Sequence, residues 1–261
     1  MRYFPQLETL TTGQYPLRRE RQERVVRHES RDGRVRAFYD ANASRVGWTM
    51  QYQGLTDDER GAIDSLFNEC EGRLKDFIFL DPASNLLRWS EDYNQGAWNK
   101  DPMIGLEAGF PDRNREFRST RLANSSGSVQ GISQTIEAPG SLQYCFSGWI
   151  QGQDRNVTMR IASGGDVIEQ ELFAGYEWKR LSVSGRPASG ADSVSFSLRF
   201  EPGLILYVGG LQVEAQPAPN DYRRTNSRSG IYLNARFAED ELTWTQESPN
   251  NNATTIRIVS R

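Results

Sequence analysis

The sequence is poor in the residues on which most catalytic and metal chemistry depends. Two cysteines, Cys70 and Cys145, stand far apart in a chain of 261 residues, which argues against a disulfide framework or a cysteine zinc site. Both read as small core hydrophobes. A single histidine, His28, removes His-rich metal centres and leaves any Ser/His/Asp or Cys/His triad dependent on one residue. That residue sits in RRERQERVVRHESRDGRVR, whose charge reads as an exposed strand and not as a catalytic cleft. Phosphate-binding glycine loops, HExxH and GxSxG are all missing, so the common enzyme templates fail one after another. No apolar run reaches the ~18 residues that a spanning helix requires. The start MRYFPQLETL has neither the basic residues nor the apolar stretch of a signal peptide, and synthesis in a cytoplasm without export by that route is the expectation.

What is present describes an ordinary globular chain. Hydrophobic residues make up 37% and charged residues 25%, with a net charge of -3, so no overall field draws the protein to nucleic acid or anionic lipid. Neither direct nucleic-acid recognition nor membrane insertion is expected. At roughly 150 residues per domain, the length allows one large domain or two smaller ones. One convincing helix is marked by Thr56 and Glu59 as a capping box, by Asp57 and Asp58 in its first turn, and by Gly72 at its end. Ile63, Leu66, Phe67 and Cys70 fall at i, i+3, i+4 and i+7, which gives a helix of about 15 residues with one apolar face.

Around the helix the pattern is β. Residues 23–27 and 34–39 flank Asp32-Gly33 as a hairpin, Val46, Trp48, Met50 and Tyr52 alternate as a strand with one buried face, and Phe77–Leu80 reads as a central strand ended by Asp81-Pro82. From Asn85 to Tyr222 seven strands are expected, at 128–136, 142–151, 156–162, 166–173, 177–184, 192–200 and 204–214. Their spacing between Gly, Ser, Asn and Pro turns points to an antiparallel jelly-roll sandwich. After the polar stretch 222–230, Ile231, Tyr232, Phe237, Leu242, Trp244, Ile256, Ile258 and Val259 resume strand-like spacing, yet so few residues cannot bury a core alone. The fold class is therefore mainly β: an N-terminal β-sandwich-like domain with one helix, completed by C-terminal strands, plus an inserted antiparallel jelly roll. The expected division is 1–84 together with 225–261, and 85–224 for the insert. A linear arrangement, with the tail packed on the jelly roll, is the alternative.

The segment Gly54-Leu55-Thr56, then Glu71-Gly72-Arg73, then Phe77-Ile78-Phe79-Leu80-Asp81-Pro82 resembles the N-terminal domain of distal tail or tail-tip proteins of long-tailed bacteriophages, prophages and gene transfer agents. Asn85-Leu86-Leu87-Arg88-Trp89-Ser90-Glu91-Asp92 with Ala97-Trp98, and the closing Val208-Gly209-Gly210-Leu211-Gln212-Val213-Glu214 and Tyr222-Arg223-Arg224-Thr225, resemble the jelly-roll modules that such proteins carry, whose relatives include carbohydrate-binding modules. The resemblance implies a structural protein of the virion tail. It implies self-assembly as a ring, six-fold ahead of three-fold, next to tail tube and tail hub proteins, with host surface glycans or neighbouring proteins as contacts of the insert. It implies no catalytic residue and no cofactor. Relatives of the modules carry a calcium site or an aromatic sugar platform, and no residue of this sequence can be matched to either.

Sugar binding by such modules calls for exposed aromatics with a few polar partners. Trp89, Trp98 and Tyr176 are the candidates, Trp98 because it lies in the polar loop Asn94–Asn99, whereas Trp149 reads as core. The carboxylates Glu91-Asp92 and Glu239-Asp240-Glu241 read as solvated loop charge, which leaves glycan hydrolysis the weakest reading, behind a stand-alone carbohydrate-binding protein. Eight arginines between Arg18 and Arg36, set among Glu20, Glu23, Glu29 and Asp32, read as a ladder of cross-strand ion pairs. The N-x-[ST] sites at Asn42, Asn124, Asn156 and Asn252 carry no meaning without secretion.

Overall fold

The computed structural model describes residues 1–260. The side chains of residues 41–43, and with them the sequon at Asn42, lie outside the described residues. In chain order the elements are β1 (Leu17–Glu29), β2 (Val35–Leu55), α1 (Asp57–Glu69), β3 (Phe77–Leu80), β4 (Asn99–Lys100), β5 (Ile104–Phe110), β6 (Ser119–Asn124), β7 (Gln130–Ile136) and β8 (Tyr144–Gln151). They continue with β9 (Arg155–Ser163), β10 (Asp166–Ala174), β11 (Lys179–Gly185), β12 (Val194–Phe200), β13 (Ile205–Glu214), β14 (Ile231–Phe237), β15 (Thr245–Ser248) and β16 (Asn251–Ser260). The protein is mainly β with antiparallel sheets and one helix, and the described chain divides into two compact units. One contains Met1–Glu8, Gly13–Phe79 and the chain from Tyr232 onward; the other contains Thr9–Thr12 and Leu80–Ile231.

The first unit is a sheet of order β1-β2-β16-β14-β3, with β15 paired to β16. The C-terminal strands complete it because β16 lies antiparallel to β2, with Ile256 opposite Met50 and Ile258 opposite Trp48. Ile256 and Ile258 share a core with Trp48, Phe77 and Phe79, and Leu242 and Trp244 pack against it partly buried. Helix α1 contributes Ile63, Leu66 and Cys70 to the same core, while Phe67 meets Phe237 edge to face at 5.0 Å. Its start is the expected capping box: Glu59 N donates to Thr56 Oγ1 over 3.2 Å, and Thr56 N donates to Glu59 Oε2 over 2.8 Å. Thr56→Ala should cost about 1 kcal/mol of this unit's stability, to be read from denaturant unfolding followed by circular dichroism.

Three sequence expectations change here. Residues 34–39 and 46–52 are parts of one strand, the 21-residue β2, because β1 continues to pair with it on both sides of a bulge between Gln22 and Arg24. Cross-strand pairing thus overrides the turn-like composition of Asp40–Ser44. Phe77–Leu80 is fully buried but stands last in the sheet, not in its centre. Its outer side is covered by the N-terminal residues, through Phe4 N to Ile78 O and Ile78 N to Arg2 O, both 2.9 Å. Arginines of β1 pair along the chain, as Arg18 with Glu20 and Arg21 with Glu23, and Arg24 with Asp40 is a cross-strand pair at 3.7 Å. The register explains this, since it sets Arg18 opposite Thr49, Arg19 opposite Trp48 and Arg21 opposite Val46.

The second unit is a sandwich of two five-stranded sheets, β10-β9-β12-β7-β4 and β11-β8-β13-β6-β5. On β12, Val194, Phe196, Leu198 and Phe200 are buried and alternate with half-buried Ser195, Ser197 and Arg199, the period of a strand with one face inward. Phe196 meets Tyr144 and Phe146 of β8 at 5.7 and 5.8 Å. All seven strands expected between 128 and 214 are present. Strands β4, β5 and β6 lie outside the expected set, because Asn99–Asn124 mixes Gly, Pro and charge with few β-branched residues.

Candidate functional site

The site grows out of an irregularity in β13. Its pairing with β8 slips between Gly209 and Leu211, leaving Gly210 as the extra residue of a bulge at φ 81°, a left-handed conformation in which glycine carries no steric penalty. The ring of Tyr222 lies directly against Gly210: a Cβ there would fall 2.5 Å from the ring. Tyr222 is held in place by a 2.7 Å hydrogen bond shared with the hydroxyl of Ser90. Ser90 is wholly buried and acts as a node: its carbonyl accepts from Leu211 N at 3.0 Å, and its Oγ accepts from Thr225 N at 2.9 Å. Burial pushes the Tyr222 hydroxyl well above its usual range, so it remains a neutral phenol. The lead-in loop and the segment after β13 are thereby tied to one point of the sheet.

Beside the bulge lies a cleft of about 220 Å³. Its floor is set by strand register, because Trp149 of β8 stands opposite Gly209 on one side and Arg180 on the other. With no side chain on Gly209, the indole of Trp178 settles there: a Cβ on Gly209 would lie 3.5 Å from it. Tyr144 and Phe146 face the sandwich core, so Trp149, at the opposite parity of β8, turns away from it and remains half-buried. The core reading of Trp149 is thus corrected by the parity of its strand.

The rim comes from the loop between β5 and β6. Asp112 organises this loop, its Oδ1 accepting from Asn114 N at 2.8 Å and Glu116 N at 2.9 Å while its own N–H donates to Glu116 O at 2.7 Å. This arrangement places the Arg113 guanidinium 4.1 Å above the Trp149 ring, a cation–π contact. Glu91, whose side chain is only 12% exposed, closes the other side as an ion pair with Arg224 at 2.9 Å. It is not the solvated loop charge expected of Glu91-Asp92.

The sequence-level sugar candidates fall elsewhere. Trp98 is buried, edge to face with Tyr93 at 5.1 Å, and its Nε1 donates to the carbonyl of Trp89 at 3.0 Å. Its ring is therefore part of the packing beneath the lead-in loop and offers no platform. Trp89 is half-buried, with φ 53°. Tyr176 is exposed, its carbonyl accepting from Gln151 Nε2 at 2.5 Å, and none of the three lines the cleft. The polar composition of its loop singles out Trp98 in the sequence, whereas the pairing of Trp149 with Gly209 on the neighbouring strand β13 becomes visible only with the register. Burial pushes the Cys145 thiol up to about 12 and raises Cys70, so both are inert core thiols. The histidine is exposed on β1 against Phe38. A larger depression of about 380 Å³ on the other sheet, near Asp154, Glu171 and Phe173, lacks Trp and Tyr.

Fold and cleft together define an antiparallel sandwich that carries an aromatic, arginine-rimmed depression on one sheet. No protein-family model matches the sequence, and no curated protein matches it. Among solved structures, it is similar to a xylan-binding domain of Paenibacillus barcinonensis, at 11% identity and TM-score 0.41, over 56% of this chain and 98% of that one. It is similar to a family-61 carbohydrate-binding module in complex with β-1,4-galactotriose, at 15% identity and TM-score 0.37, over 49% of this chain and 97% of that one. A further similarity is to the enzymatically active domain of tailspike protein 4 of bacteriophage CBA120, at 14% identity and TM-score 0.39, over 52% of this chain and 21% of that one.

Proposed function

We propose that the protein is a structural, glycan-binding component of a phage-type tail tip, whose inserted sandwich holds a saccharide in the Trp149 cleft. One observation carries the binding half: two indoles and a half-buried phenol converge with a guanidinium and a carboxylate in a single depression. Sugar rings present apolar C–H faces that pack on aromatic rings, and hydroxyls that seek planar charged or amide partners. Trp178 and Tyr222 supply the former; Arg113, Glu91 and Asn114 supply the latter. The proposed role contains no catalytic step and no cofactor. Titration of the whole protein against a panel of soluble oligosaccharides, with reducing ends assayed alongside, tests this half. Saturable binding without release of new reducing ends is expected; failure to bind any member would overturn it, and turnover would favour the hydrolase reading.

The assembly half of the reading places the other unit in a ring at the end of the tail tube, six-fold ahead of three-fold, against tail tube and hub proteins in the virion. Its support is β1, a 13-residue edge strand almost wholly exposed, with Val25, Val35, Phe38 and Tyr39 exposed on the same ribbon. Such an edge is a template for pairing with another chain. Mass photometry across a range of concentrations should show a closed oligomer. Monomers throughout, combined with glycan binding, would leave a stand-alone carbohydrate-binding protein.

A further inference from the structure

We infer that the saccharide taken by this cleft is acidic, carrying a carboxylate or a sulfate ester that is read by Arg113; the inference rests on the glycan-binding reading above. Glu91 is engaged by Arg224. Asp112 spends its Oδ1 on two backbone N–H groups of its own loop, and Arg118 pairs with Glu116 at 2.9 Å. Among the charged residues that line the cleft, Arg113 alone has no side-chain hydrogen bond or ion pair among the described residues, and its guanidinium lies on the Trp149 ring. Across the loop 112–118 with Glu91 and Arg224, cations outnumber anions by four to three.

A guanidinium lying on an indole keeps its N–H donors free at its edge, because stacking uses only its face. Those donors form a planar fork that matches the two oxygens of a carboxylate or sulfate, and such bidentate charge-assisted pairs are stronger than bonds to a neutral hydroxyl. The stacking also fixes the fork in advance, which reduces the ordering cost of binding. A neutral sugar would leave that fork with only hydroxyl partners, whereas an acidic residue seated beside Trp178 would satisfy it. The loop geometry is itself local, held by Asp112, so substituting Arg113 removes the fork without disturbing what positions it.

The test compares three probes of equal length on the full chain by isothermal titration: a 4-linked uronic acid trimer, the same trimer with its carboxyls reduced to hydroxymethyl groups, and the reduced trimer carrying sulfate esters. The uronate or the sulfated trimer should bind about tenfold or more tightly than the reduced one, and whichever does so identifies the anion. Arg113→Gln should bring the ratio of anionic to neutral affinity toward one, while Arg186→Gln, an exposed arginine elsewhere on the sandwich, leaves it unchanged. Equal affinity for all three probes would overturn the acidic preference and leave the glycan-binding reading standing. If no trimer and no other saccharide binds, the glycan-binding reading itself has failed, and the inference with it. An unchanged ratio in Arg113→Gln would likewise overturn the assignment of Arg113.

Discussion

Trp149→Ala is expected to lower saccharide affinity by about 2 kcal/mol, roughly 30-fold, with the fold intact. The indole stands half-buried on the outward face of β8, where its ring supports the Arg113 guanidinium at 4.1 Å. Removing it takes away the cleft floor and releases the arginine side chain, so contact area and preorganisation are lost together. The core should tolerate the change, because the inward positions of β8, Tyr144 and Phe146, are untouched. Titration calorimetry beside thermal unfolding separates the two effects. A large loss of stability with unchanged affinity in the folded fraction would reassign Trp149 to the core. Trp149→Phe, which retains a flat ring, should recover part of the affinity.

Trp98→Ala has the opposite signature. Trp98 is 6% exposed, packed edge to face on Tyr93, and it donates to the carbonyl of Trp89. Deleting the ring should cost about 3–5 kcal/mol through lost burial and the cavity that remains. The carbonyl of Trp89 keeps the bond from Asp92 N at 3.1 Å, so losing its second donor adds little to this. Denaturant unfolding of the sandwich should show a clearly lowered midpoint, while saccharide affinity, measured well below that midpoint, stays within a fewfold of the parent. Loss of affinity without loss of stability would restore Trp98 as a direct sugar contact. The pair of substitutions therefore separates an aromatic that binds from one that holds the fold.

If both outcomes hold, the cleft works by arrangement and not by unusual chemistry. Its components are common residues: a strand tryptophan, a glycine opposite it, a bulge that seats a tyrosine, and a short loop whose aspartate holds an arginine over a ring. Each is cheap for a sandwich to provide, because loops at the ends and face of such a fold can vary while the inward residues of its strands keep the core.

What the sequence by itself determined was local and periodic. The helix at 57–69 could be read from Thr56, Glu59 and the Ile63, Leu66, Phe67, Cys70 stripe because capping and amphipathicity act within a few residues. The seven later strands of the sandwich could be read because inward and outward residues alternate along each of them, and the mainly β class followed. Composition also spoke against His-rich metal centres and a disulfide framework, with one histidine and two distant cysteines. The tertiary structure alone decided which way Trp149 points, since Cys145, Ser147 and Trp149 alternate with Tyr144, Phe146 and Gly148 and either set could have faced inward until Tyr144 and Phe146 packed on Phe196 of the facing sheet. It alone decided that Trp98, in a polar loop, is buried, because neighbouring polarity says nothing of what covers a side chain from afar. The cleft itself draws Glu91, Arg113, Trp149, Trp178, Gly209 and Tyr222 from six separate stretches of chain, and only sheet register, with its bulge at Gly210, brings them together.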